Sequence, residues 1–438
     1  MIRILAAAAA AVAIVSPLNA SELSEAVQKD YDDYLWPLFD HFHRNPELSL
    51  VETETAARMA AELASAGFDV TENVGGTGVV AVLENGAGPT VMMRADMDGL
   101  PVEEKSGLEN ASRKQQEDPI TGNLVYTMHA CGHDVHITSL VGTARQMAAR
   151  TDEWSGKLIL LVQPAEERVL GARMMKEDDL WERFGEPDYA LAFHVSAGDV
   201  AGVINVSEGS PYAGADTVDI IIYGVGSHGA HPHRGKDPIV LGSQIVLALQ
   251  TLVARELSPR APGVVTVGSF HSGTKHNIIS DRAHLQLTVR NTSEETRELL
   301  LNGIKRIAEN MGRVAGLPDE KLPEVIISEE SVPPTTNDAT LARRLKSAWN
   351  AEIGAERVVD IPTTGMGAED FPLLTVNPDI PSVYWAIGGT PKEDFEREAA
   401  GGEPVPSHHS PLFKISPEPA VTAGVESTVV ALLELMAP

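Results

Sequence analysis

The segment Thr127-Met128-His129-Ala130-Cys131-Gly132-His133-Asp134 holds the only cysteine in 438 residues, two positions before a histidine and with a carboxylate directly after. A thiolate, an imidazole and an acid this close together are the donor types of a divalent-metal site. Further segments carry complementary donors: Gln163-Pro164-Ala165-Glu166-Glu167, Ala192-Phe193-His194-Val195 and Ser407-His408-His409-Ser410-Pro411. Singly, a histidine after a strand is an ordinary hydrogen-bonding residue and a Glu-Glu pair an ordinary solvated surface. Together, one thiolate, several imidazoles and one or two carboxylates satisfy two borderline ions such as Zn²⁺ or Mn²⁺. Two ions a few ångströms apart need a bridging anion and a shared water, and Cys131 is the best bridge. Consecutive Glu166 and Glu167 point differently, so one can bind metal while the other serves as general base. Asp98, or alternatively Asp96, is placed to accept the remaining ring proton of His133. The chemistry implied is metal-assisted hydrolysis by an activated water.

Such donors must be gathered by a scaffold. Lys157 to Val162 is a nearly continuous apolar run that reads as a buried parallel strand delivering Glu166 and Glu167 at its end. Tyr189 to Phe193 is a second such strand, ending at His194, and Thr90 to Arg94 a third, discharging into Asp96 and Asp98. Open α/β sheets place their chemistry at these carboxyl ends. From Asp134 onward Ile137, Leu140, Val141, Ala144 and Met147 share one helical face, so Cys131 and His133 are expected in the loop before a helix. Two helices are expected between Ser24 and Gly67, with a β-rich run at Val79 to Leu83. After Pro333-Pro334, a helix at Leu341 to Ile353, a strand at Pro381 to Ile387 and a closing helix at Val421 to Leu435 follow.

Between these parts the pattern changes. Asp216–Tyr223, Val264–Phe270, Ala283–Arg290 and Glu324–Ser328 read as strands, and Pro238–Leu257 and Ser293–Ala315 as helices. The order is βαββαβ, a split pattern that folds as one four-stranded sheet with two helices. The expected organisation is an α/β catalytic domain with a central, mostly parallel sheet (21–213 and 326–438), interrupted by a ferredoxin-like βαββαβ domain (214–325).

The bulk composition narrows the function. Sixty-two acidic against 34 basic residues give a formal charge of −28 and a pI near 4.8. That charge opposes attraction to phosphate backbones or anionic lipid, which excludes non-specific nucleic-acid binding. Residues 1–20 have the order of a secretory signal: Arg3, an apolar run from Ile4 to Val15, then small residues before Ser21-Glu22. The expectation is an exported, periplasmic enzyme with no membrane span once the signal is removed. A single cysteine cannot form an intramolecular disulfide, which again points Cys131 towards metal.

The motifs Arg94-Ala95-Asp96-Met97-Asp98-Gly99-Leu100-Pro101, Met128 to Asp134, Gln163 to Glu167, Phe193-His194-Val195, Ser227-His228-Gly229-Ala230-His231-Pro232-His233, Asn277-Ile278-Ile279-Ser280-Asp281, Thr288-Val289-Arg290, Met366-Gly367-Ala368-Glu369-Asp370-Phe371 and His409-Ser410-Pro411 occur in one order along the chain. In this the sequence resembles the binuclear metallo-amidohydrolases: hippurate hydrolases, N-acyl amino acid amidohydrolases and indole-acetyl amino acid hydrolases, relatives of the aminoacylase and carboxypeptidase G metallopeptidases. The resemblance implies a dimetal-peptidase-like catalytic domain that cleaves N-acyl amino acids, or similar amides bearing a carboxylate. A dipeptidase or carboxypeptidase of the same clan, and an exported binding protein without activity, are the alternatives. It implies Cys131, His133, Glu167, His194 and His409 as metal ligands and Glu166 as general base. The inserted domain would be a lid and dimerisation domain, making a homodimer or higher oligomer. Its His228 would stabilise the oxyanion, often in a neighbouring subunit's site, and Asn277 and Arg290 would hold the substrate's carboxylate or neighbouring polar atoms. The sequence departs from the family pattern at Ser227 and at Ile279-Ser280 in the lid, and His408 beside His409 offers a second candidate for the fifth ligand, although the pattern of histidine directly before Ser-Pro favours His409. Glu369 and Asp370 match the family and are expected to support the site.

Overall fold

A computed structural model of the chain describes residues 20–362 and 365–438. The expected export signal lies outside them except for Ala20, which opens the first helix. An eight-stranded sheet runs in the order Asp69–Val74, Gly78–Asn85, Gly156–Gln163, Thr90–Asp96, Tyr189–Val200, Ser382–Thr390, Ile204–Asn205, Val358–Val359. Its middle four strands are mutually parallel. The neighbours Gly78–Asn85 and Ile204–Asn205 run antiparallel to them.

Each middle strand is buried on both faces, as its near-continuous apolar sequence requires. Leu158, Leu160 and Val162 join Val91, Met93, Leu191 and Phe193 in one core, while Ile159, Leu161, Met92, Ala190 and Ala192 join another on the opposite face. The two-residue period of a strand divides them. The first core is covered by helices His133–Ala149, Pro417–Met436, Ala339–Trp349 and the N-terminal helices, the second by Gly171–Glu177, Leu180–Phe184 and Pro372–Thr375. Pro417–Met436 has the length and apolarity of a membrane span, yet it packs against His133–Ala149 and is buried around nearly its whole circumference. An all-round apolar helix is what a three-layer core accommodates.

The first expected helix is longer than anticipated. Ala20–Asp30, a π-helical turn Tyr31–Leu35 and Trp36–Arg44 run on as one rod, and Thr53–Ser65 follows. The edge strand Asp69–Val74, the hairpin Gln115–Glu117 with Leu124–Tyr126, and helix Lys392–Ala399 carry no strong sequence pattern because they lie at the periphery and are mostly solvated.

The inserted unit forms its own antiparallel sheet, ordered Gly263–Ser272, Arg282–Asn291, Gly214–Tyr223, Glu324–Ile327. Helices Pro238–Thr251 and Glu294–Val314 pack on it around a separate core of Val218, Ile220, Ile245, Leu285, Leu300 and Ile304. Asp237 caps the first by accepting from the Ile239 and Val240 amides, and Ser293 caps the second through Thr296 N. The expected boundary at residue 325 is corrected, because Glu324–Ile327 pairs in this sheet with Gly214–Tyr223 and so belongs to the insert.

Candidate metal centre

The centre forms where the parallel strands end. Gly132 adopts φ +85° between Cys131 and His133, and a Cβ there would fall 2.3 Å from Val195 Cγ1. Only glycine satisfies both the left-handed backbone and the close approach. This turn opens helix His133–Ala149, so His133 is the first residue of the helix rather than part of the preceding loop.

Glu166 and Glu167 leave their strand through Ala165, which is also left-handed at φ +48°. The buried Glu52 holds that turn: its Oε1 accepts from the Ala165 amide at 2.8 Å and its Oε2 from Thr77 Oγ1 at 2.6 Å. Burial, then the nearby Asp98 charge, push Glu52 up to about 7. Beyond the turn, Glu167 N donates to Asp98 Oδ2 at 3.0 Å, and Ser49 Oγ donates to the same oxygen at 2.6 Å.

His194 lies within a strand that continues to Val200, not at its end. The neighbouring Thr90–Asp96 pairs only as far as Arg94 with Ala192, which frees the His194 side. His194 Nδ1–H donates to Val195 O at 2.7 Å, leaving Nε2 as a lone pair 3.4 Å from Cys131 Sγ. His409, at φ +66°, brings its Nε2 to 3.3 Å from Cys131 Sγ and 3.4 Å from Glu167 Oε2. His408 points elsewhere: its Nε2 accepts from the Ala197 amide at 3.1 Å, and its ring lies edge-on to His194 and against Phe413.

Of the donor groups close enough for an ion among the described residues, two share the thiol, Cys131 with His133 and His194, and Cys131 with Glu167 and His409, while Glu166 groups with His133 and Glu167 without it. Ligand atoms about 2.0–2.3 Å from a tetrahedral ion stand roughly 3.3–3.8 Å apart, and the distances above match. His133 Nε2 and Glu167 Oε1 are buried without a hydrogen-bond partner, as atoms meant for an ion would be. His133 Nδ1 stands 3.3 Å from Asp98 Oδ1, while Asp96 Oδ2 lies 3.7 Å from Nε2. Of the two aspartates, Asp98 is the one at the outer ring nitrogen. Burial works against a charge on His133, but Asp96 and Asp98 outweigh it and push the imidazole up to about 10. A field that strongly favours positive charge at this point equally favours a divalent cation. Burial and the adjacent histidines keep His194 well below the usual range, and burial also lowers His409, so both present neutral rings. The residues present therefore fit a pair of divalent ions.

Glu166 is left over from both shared-thiol groups, with Oε2 3.8 Å from His133 Nε2. Burial and then Glu369 push its carboxyl well above the ordinary range. Behind it lies a buried ionic cluster that the sequence did not disclose. Arg94 donates to Asp96 at 2.6 Å, Glu369 at 2.8 Å, Asp370 at 3.1 Å and Gln163 at 2.9 Å. Tyr384 OH also donates to Glu369 at 2.7 Å. Glu369 and Asp370 thus act as counterions to a buried guanidinium, a need that only their tertiary neighbour reveals.

The lid residues stand apart. His228 is exposed on a short ribbon, Ser227–His228 paired with Ile278–Ile279, and Gly229 N donates to Asn277 O at 2.8 Å. His228 and Asn277 are therefore neighbours. Arg290 lies on the lid sheet, its Nε donating to Thr288 Oγ1 at 3.2 Å. Among the described residues no hydrogen bond or ion pair joins these three to the thiol-centred cluster.

A parallel sheet with a thiol shared between two donor groups, next to a spare carboxylate, defines a dinuclear metallohydrolase. Residues 92–400 match the model of peptidase family M20/M25/M40. The chain is 35% identical over 331 residues to the hippurate hydrolase of Campylobacter jejuni, covering 75% of this chain and 82% of that protein. It is 32% identical over 406 residues to IAA-amino acid hydrolase ILR1-like 4 of Arabidopsis thaliana, covering 92% and 86%. The crystal structure of the YXEP protein of Bacillus subtilis, described as a dinuclear metal-binding peptidase from the M20 family, superposes with a TM-score of 0.73 at 27% identity over 94% of this chain and 99% of that one. The chain belongs to peptidase family M20/M25/M40, and it is a metal-dependent hydrolase of linear amide bonds.

Proposed function

We propose that the substrate is an N-acyl amino acid, cleaved to the free acid and the amino acid. Cys131, His133, Glu167, His194 and His409 would hold two divalent ions, Zn²⁺ or Mn²⁺, with Cys131 between them. The observation that carries this reading is the thiol common to two donor groups, with Glu166 outside both and beside His133 and Glu167. When bound, the ions supply Lewis acidity to the amide carbonyl and acidify a water. Glu166 takes the proton of the attacking water and passes it to the departing nitrogen. His228 of the lid would donate to the developing oxyanion, and Arg290 with Asn277 would hold the substrate carboxylate, for which a guanidinium fork is well shaped. The names of two relatives, hippurate hydrolase and IAA-amino acid hydrolase, support an amide of an amino acid.

The test is a release assay over N-acyl amino acids, the same amides lacking the carboxylate, and dipeptides, each with Zn²⁺ or Mn²⁺. N-acyl amino acids should show the highest kcat/KM, and loss of the carboxylate should raise KM. Faster turnover of dipeptides would replace the substrate assignment with a peptidase, and no amine release from any of them would favour a binding protein.

The same reading includes a homodimer through the lid and export of the mature chain. Helix Pro238–Thr251 leaves Val240 54% and Leu247 73% exposed, and Phe270 lies exposed on the edge strand beside it, an apolar surface suited to a second copy. The order of residues 1–20 supports export, and a mature N-terminus at Ser21, read by mass spectrometry of the secreted fraction, would verify it.

A further inference from the structure

His136 lies three residues after His133 on the same helix, buried, with its ring centroid 4.5 Å from that of His194 and 5.2 Å from that of His133. Asp96, His133 and His136 stand close enough together to resemble another ion site. His136 has no donor atom to offer one. Its Nε2 accepts from the Val195 amide at 2.8 Å, which places the ring proton on Nδ1, and Nδ1–H donates to Asp96 Oδ1 at 2.5 Å. Val195 in turn accepts His194 Nδ1–H through its carbonyl at 2.7 Å. A continuous path therefore runs from the Arg94-paired Asp96 through the His136 ring and the backbone of Val195 to His194.

We propose that His136 is a positioning residue: it fixes the orientation and tautomer of His194 through the backbone of Val195, and so sets the affinity of one of the two metal positions. The proposal rests on the dinuclear reading above. Two features give it direction. Val195 N–H points at His136, which pins the peptide between His194 and Val195; with that peptide held, the Val195 carbonyl one plane further on keeps its place as acceptor for His194. The fully buried Asp96 keeps the proton on Nδ1 of His136, which keeps Nε2 free for Val195. Partners behind a ligating histidine typically change metal affinity 10–100-fold. The path reaches His194 only, so the effect should fall on the Cys131–His133–His194 group and spare the Cys131–Glu167–His409 group.

The two contacts can be separated by amide substitutions. The amide of His136→Gln reaches the Nε2 position and can accept from Val195, while that of His136→Asn reaches only the Nδ1 position and can donate to Asp96. Zn²⁺ binding to the full-length mature protein would be measured by competition with a chromophoric chelator, alongside the absorption spectrum of the Co²⁺-loaded protein. The parent should take up two ions. His136→Asn should bind one of them about 10–100-fold more weakly and the other as the parent does, and His136→Gln should recover most of the loss. Unchanged affinity for both ions in folded His136→Asn overturns the proposal, and so does equal weakening of both, which marks a general packing role. A parent that binds fewer than two ions overturns the dinuclear reading and this proposal together. Should neither variant fold, ¹⁵N-histidine NMR of the unmutated protein decides: a proton on Nδ1 of His136 supports the path, and one on Nε2 breaks it.

Discussion

Glu166 and Glu167 are adjacent in sequence and differ in what surrounds them. Glu167 Oε2 faces His409, and its amide is held by Asp98, whereas Glu166 backs onto Glu369 and Asp370. Glu166→Gln removes the proton acceptor with almost no change in shape. It should lower kcat by about 10²–10⁴ while elemental analysis still finds the parental metal content. Activity near that of the parent would move the base elsewhere. Cys131→Ala takes away the atom common to both donor groups, and its metal content should fall below the parent's by the same analysis. A full complement of ions in that variant would return Cys131 to the core.

At the scale of elements, the turn into helix His133–Ala149 is the most constrained feature. Gly132→Ala meets both a left-handed backbone, which costs about 1–2 kcal/mol, and the Val195 side chain. It should lower Tm by several degrees and weaken metal binding with it, since Val195 also holds His194. The same helix start is tied to helix Trp36–Arg44 by the buried His43, whose Nδ1 lies 2.7 Å from Asp134 and Nε2 3.4 Å from Glu104. Burial lowers the His43 pKa, but the two carboxylates outweigh it and push it up to about 10. A histidine held above its unfolded value of about 6.5 binds more proton when folded. Its stabilisation is complete below that value and is lost as pH rises towards about 10. Urea titrations should therefore show stability declining across this alkaline window. In His43→Phe the decline should flatten, and an unchanged slope would show that other groups cause it.

At the scale of the whole molecule, the lid carries His228 and Asn277 on a ribbon that makes no hydrogen bond to the metal centre of its own chain among the described residues. The dimer reading gives that separation a purpose, because a lid histidine can serve the neighbouring subunit. Mixing Glu166→Gln subunits with His228→Ala subunits tests it directly. If His228 acts across the interface, mixed dimers contain one intact site and regain up to about half of the parental activity per site pair. If it acts within its own chain, each mixed dimer remains as inactive as its parts.

Much of this was legible before any coordinates. The donor types lie in short local motifs, and strand and helix periods are local too, so Glu166 and Glu167 could be placed just past a strand, Cys131 and His133 at the entry to a helix, and the split βαββαβ order recognised, while the strand carrying His194 runs on to Val200. For other residues the resemblance and the motifs gave the choice, but its physical reason lies in distant backbone. His409 rather than His408 faces Cys131 because a left-handed backbone at His409 turns the pair. Asp98 rather than Asp96 meets the outer nitrogen of His133 because Arg94 and His136 already claim Asp96. Glu369 and Asp370 have a purpose only beside a buried Arg94 that lies some 275 residues away in the chain. Spacing along the chain determined which atoms were available. Peptide orientation and long-range pairing, which spacing does not encode, decided which of them face one another.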